Sequence, residues 1–94
     1  MAMAEGSRYQ RNPAVTETEI DGEIFLVEPE TEEVFYLDPL GSGLWRLIAE
    51  PHSLPEAATV YAAAFPDTDR TTIEADLGAV LSDLLERGLA VELP

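Results

Sequence analysis

Residues 33–45 read Glu33-Val34-Phe35-Tyr36-Leu37-Asp38-Pro39-Leu40-Gly41-Ser42-Gly43-Leu44-Trp45. The first five are a short strand of β-branched and aromatic residues. Asp38-Pro39 then starts a helix, with Asp as N-cap and Pro in the first helical position. Upstream of this junction the apolar residues suit strands, and downstream they recur at helical spacing. Segregated strands and helices predict an α+β chain rather than a parallel sheet.

Upstream, Val15 to Ile20 alternates with Glu17 and Glu19. Asp21-Gly22 is a two-residue hairpin signal, because both positions tolerate positive φ. Glu23 to Glu28 resumes as a second strand, Pro29-Glu30-Thr31-Glu32 turns again, and Glu33–Leu37 is the third. Residues 1–13 are polar, end at Asn12-Pro13 and show no period, which predicts a flexible N-terminal tail before a single domain over 14–94.

Downstream, Leu40, Leu44, Leu47 and Ile48 share a helix face, and Pro51 ends that helix. Ser53-Leu-Pro-Glu56 is a capping box opening a second helix, which Pro66 closes. Thr71-Thr-Ile-Glu74 reads as a second box. Behind it Ile73, Leu77, Val80, Leu81 and Leu84 form a stripe up to Gly88. Leu89–Leu93 alternates like a short last strand. The expected fold is α+β and winged helix-turn-helix-like, a three-stranded antiparallel sheet followed by three helices.

Charge excludes several functions. Nineteen acidic residues face five arginines, and the formal net charge is -14. Nucleic-acid binding needs several cationic phosphate contacts, and the third helix carries Glu74, Asp76, Asp83 and Glu86 against Arg87. An anionic membrane would repel the chain as well. Without Cys there is no disulfide or thiolate chemistry. The lone His52 reads as a loop residue rather than a base or ligand. The eight carboxylates between Glu17 and Glu33 match no calcium-loop spacing and read as a solvated or partner-facing surface. The N-terminus lacks a signal-peptide pattern, so a cytoplasmic protein is expected; the short chain without a catalytic or phosphate-binding motif predicts a non-enzymatic protein without cofactor.

Val34-Phe-Tyr-Leu-Asp38, followed by Gly41, Leu44-Trp45 and Leu47, resembles the strand-to-helix junction of PqqD-like proteins. Ser53-Leu-Pro-Glu-Ala57 resembles the start of their second helix, and Ile73 to Leu84 with Leu85-Glu-Arg-Gly-Leu89 resembles their third. The resemblance spans residues 14–93; Asp38 replaces the usual Asn, which caps a helix equally well. It implies a RiPP recognition element, which binds the leader of a ribosomally made precursor peptide and presents it to a modifying enzyme or leader protease. The leader would lie as a strand beside the third strand, its side chains against the third helix. The residues so implied are Glu33, Val34, Phe35, Tyr36 and Leu37 on the edge, and Asp76, Leu77, Val80, Leu81, Asp83 and Leu84 on the helix. Ile73, Leu77 and Leu84 are expected to serve mainly the core, and Val80 to line the groove. The alternative reading is an acidic interaction or scaffold subunit that docks on a partner enzyme by its sheet face.

Overall fold

The computed structural model describes residues 6–93. Its elements are β1 (Arg8–Arg11), β2 (Thr16–Ile20), β3 (Glu23–Val27), β4 (Val34–Leu37), α1 (Pro39–Leu47), β5 (His52–Ser53), α2 (Leu54–Ala64), α3 (Arg70–Glu86) and β6 (Ala90–Leu93). They form two three-stranded antiparallel sheets, ordered β2-β3-β4 and β5-β1-β6, with three helices.

The β2-β3-β4 meander follows the sequence reading. Asp21 and Gly22 both take positive φ, 54° and 82°, as a two-residue hairpin requires. The β3–β4 turn is held by the Glu28 carboxylate, which accepts from the backbone N–H groups of Glu30 and Thr31 and from the Thr31 hydroxyl. Asp38 caps α1 by accepting from the Gly41 N–H at 2.7 Å. Ser53 and Glu56 form the expected capping box of α2.

Three expectations need correction. The flexible-tail reading fails at Arg8–Arg11, which is the central strand of the second sheet, between β5 and β6. Its alternation is too short and too polar to register, since Tyr9 is its only apolar side chain and it is buried. Residues 1–5 of that tail, and Pro94, lie outside the described residues. His52 is not in a loop but pairs with Tyr9 across β5 and β1. Helix α3 starts earlier than Thr71: Asp69 is its N-cap and accepts from the Thr71 N–H, so Thr71 is not a cap. Its C-terminus closes as the sequence suggested. Leu89 N–H donates to Leu84 C=O and Gly88 N–H to Leu85 C=O, the paired bonds of a Schellman motif.

The core lies between the helices and the inner faces of both sheets. Ile24 and Leu26 from β3, Leu44, Trp45 and Ile48 from and just after α1, and Leu77 and Leu81 from α3 are all buried. One clasp ties the layers together. Glu17 of β2 accepts from the Trp45 indole at 2.6 Å and from the Arg11 guanidinium at 3.0 Å. Arg11 in turn donates to the Trp45 carbonyl and stands 4.8 Å from its ring centroid.

Candidate functional site: the free edge of β4 and one flank of α3

β4 pairs with β3 alone, through Leu37 with Ile24, Tyr36 with Phe25, Phe35 with Leu26 and Val34 with Val27. Among the described residues its other edge has no strand partner. A free edge is a row of backbone donors and acceptors able to accept another strand. Strand alternation divides its side chains. Leu37 is buried and Phe35 half-buried on the inner face, while Val34 and Tyr36 stand outward, 62% and 53% exposed. Glu33, at the head of the strand, is exposed.

Helix α3 divides in the same way. Ile73, Leu77, Leu81 and Leu84 are buried, because positions three and four apart return to one face. Leu77, Leu81 and Leu84 are therefore core residues with no surface to offer in this state. Asp76, Val80, Asp83 and Arg87 follow one another along a flank. Val80 is half-buried against the rim of the core, and Asp76 and Asp83 are exposed.

This flank faces β4. The Arg87 guanidinium lies 4.9 Å from the centroid of the Phe35 ring and is held at 3.0 Å by Asp83 one turn back. At this end a cleft of about 510 Å³ opens between the β3–β4 turn and the α3 C-terminus; Glu30, Glu33, Phe35, Glu86 and Arg87 line it. At the far end Pro39 and Leu40, just past β4, share a cleft of about 230 Å³ with Ile73 and Asp76. β4 and α3 thus run antiparallel along a furrow, with Val80 on the stretch of α3 between the clefts. Arg87 and Leu40 were not among the sequence candidates. For Arg87 the available signal was its i, i+4 spacing from Asp83 on the Val80 flank.

The chemistry here is recognition. Hydrogen bonds hold the Glu28 carboxyl below the usual Glu range, chiefly those from Thr31, and so keep the turn beside the furrow charged and formed. An apolar cleft of about 450 Å³ lies elsewhere, between α1 and α2. Among the described residues no group of three His, Asp or Glu side chains gathers as a metal site. No described helix is long and apolar enough to cross a membrane.

The sequence model of the family described as Coenzyme PQQ synthesis protein D (PqqD) matches residues 23–90, most of the chain and the whole span from β3 to the start of β6. The chain belongs to the PqqD family. Solved structures share its fold. One, "TbiB1 in Complex with the TbiA(beta) Leader Peptide", is 32% identical, with a TM-score of 0.77 over 86% of this chain and 93% of that one. A second, "Lasso peptide synthetase B1 complexed with the leader peptide", shares the fold at 24% identity and a TM-score of 0.73, covering 94% of this chain and 99% of that one. The PqqD truncation of Methylobacterium extorquens PqqCD, described as a stand-alone RiPP recognition element, shares it at 20% identity and a TM-score of 0.76, covering 96% and 95%. No curated protein sequence matches the chain. Within this PqqD-family chain, the family match takes in both β4 and α3.

Proposed function

We propose that this protein is a non-catalytic recognition element for the leader region of a ribosomally made precursor peptide. It presents that peptide, in the cytoplasm, to the modifying enzyme or leader protease of the same pathway. The observation that carries the reading is the free edge of β4 beside the Val80 flank of α3. The relative that is 32% identical has a leader peptide in its structure.

The leader pairs with the backbone of Glu33–Leu37 as an added strand, which supplies affinity with little demand on sequence. Specificity comes from its inward side chains, which reach Phe35, Val80 and the aliphatic stem of Arg87. The third helix is acidic and apolar where the recognition helix of a DNA reader is basic. Leu77, Leu81 and Leu84 support α3 from beneath, while Asp76 and Asp83 meet the leader at the rim.

Fluorescence polarisation with the labelled leader encoded beside this gene tests the reading. Saturable binding is expected for the leader and none for its scrambled sequence. Equal binding of both, or none of either, overturns it.

A further inference from the structure

Helix α2 is apolar on two sides. Ala57 and Ala58 are buried against the core, yet Val60 and Phe65 stay 46% and 54% exposed. With Gly43 and Leu47 of α1 they line the apolar cleft of about 450 Å³, a size that takes a large side chain with its neighbours. Arg46 lines it as well, with its side chain half exposed. None of the described residues lining the cleft is a carboxylate, in a chain with nineteen. The core closes without this second apolar side, so folding does not account for it.

The cleft continues the furrow between β4 and α3. Pro39, Tyr61 and Phe65 line both it and the 230 Å³ cleft in which the furrow ends. The stacked rings of Tyr61 and Phe65, 6.0 Å between centroids, thus form a sill between the two. Pro39 stands two residues past Leu37, the last residue of β4. Arg46 and Tyr36 share a third opening of about 240 Å³ beside it. A strand paired to β4 therefore leaves the edge at Leu37 with Pro39 ahead of it and the α1–α2 cleft beyond. A second copy of this chain is the wrong occupant, since the two would meet at a formal charge of -14 each.

We propose that the α1–α2 cleft is a second subsite for the leader, an inference that rests on the function proposed above. It takes one aromatic or branched apolar side chain from the segment that flanks the paired strand at its Leu37 end, and a leader carboxylate lies beside Arg46. Arg46 is paired with Glu19 in the free protein, and a guanidinium with five donors has room for a second acceptor. Backbone pairing on a four-residue edge leaves register weakly specified, and a slip of one residue exchanges inward and outward side chains. An anchor seated past the end of the strand fixes that register. It also adds affinity, because a tethered second contact forms at high effective concentration.

The test uses two labelled peptides in fluorescence polarisation. One is the leader encoded beside this gene. The other is the same leader trimmed, at the end that passes Leu37, to the segment that still protects the Val34–Leu37 amides. Val60→Asp puts a carboxylate in the cleft, Phe65→Ala removes part of its wall and Arg46→Gln removes its charge. All three side chains are about half exposed, and circular dichroism checks the fold. Val91→Asp, on β6, serves as comparison. Wild type should bind the full leader at least tenfold more tightly than the trimmed one. Val60→Asp and Phe65→Ala should each weaken the full leader at least fivefold, and Arg46→Gln at least threefold. Trimmed-leader affinity should stay within twofold for every variant, and Val91→Asp should match wild type with both peptides. Equal wild-type affinity for the two peptides overturns the inference, as does full-leader affinity within twofold of wild type for both Val60→Asp and Phe65→Ala. Parallel loss of both peptides gives the cleft a merely structural role and also overturns it. Full-leader binding unchanged by Arg46→Gln overturns the pairing of Arg46 with a leader carboxylate. A wild-type dimer that Val60→Asp converts to monomer gives the cleft to a second copy and overturns the inference too. A wild type that binds neither peptide overturns the function proposed above instead.

Discussion

A Cβ placed on Gly43 would stand 1.9 Å from the Tyr61 hydroxyl oxygen and 3.0 Å from its ring carbon. That hydroxyl donates to the Leu40 carbonyl at 3.0 Å, so Gly43 leaves the room in which the Tyr61 side chain reaches from α2 to α1. Gly43→Ala must push the Tyr61 ring aside and break that bond. It should cost about 1–3 kcal/mol, seen as a lower urea midpoint; an unchanged midpoint would show that Tyr61 moves freely. Gly41 lies beside Leu37 of β4, whereas Gly43 serves a helix–helix contact that depends on Tyr61, 18 positions on, and no local pattern encodes it. Glu56 contributes a pH dependence. The Ser53 backbone N–H, followed by the nearby Arg8 charge, holds its carboxyl below the usual Glu range. A carboxyl whose folded pKa is depressed contributes its stability above the ordinary Glu value and loses it as pH falls through the folded value. The urea-midpoint gap between wild type and Glu56→Ala should therefore be full near neutral pH and close in acid. A gap that persists through the acid limb would contradict the capping-box role.

At the scale of elements, α3 both closes the core and walls the furrow. Leu77→Ala removes a fully buried side chain and should cost about 2–5 kcal/mol. Val80→Asp differs, because Val80 is half-buried at the rim. It should leave the circular dichroism unchanged and weaken leader binding at least tenfold, about 1.4 kcal/mol, by putting an unpaired charge where the leader's apolar side chains go. Unfolding would place Val80 in the core, and unaltered binding would move the leader off this flank. The stripe, its Gly88 stop and the outward pair Val34 and Tyr36 were legible in the sequence, because periods of 3.6 and 2 persist over several residues there. The second sheet was not. β1 has four residues with one apolar side chain and β5 has two, and neither length carries a period. Their pairing is decided by partners far along the chain, Arg8–Arg11 against Ala90–Leu93.

Across the whole molecule, Arg11 joins the two sheets through Glu17 and Trp45. Arg11→Ala leaves the indole of Trp45 without its cation and Glu17 without its ion pair. It should cost about 1–3 kcal/mol and redden the emission of the chain's one Trp; unchanged emission would mean that the clasp does not control the solvent exposure of Trp45. The net charge of -14 sets the long-range behaviour. Binding of a basic leader should weaken as salt screens exposed carboxylates such as Asp76 and Asp83, and an affinity independent of ionic strength would assign recognition to apolar contact and backbone pairing alone. The central claim, that β4 accepts the leader as a new strand, is tested most directly by amide hydrogen exchange with and without bound leader. Outward amides of Val34–Leu37 should slow markedly on binding, while those on the free edge of β2, Thr16–Ile20, stay as they were. Protection confined to β2 or to the β5-β1-β6 sheet, with β4 unaltered, would contradict the account.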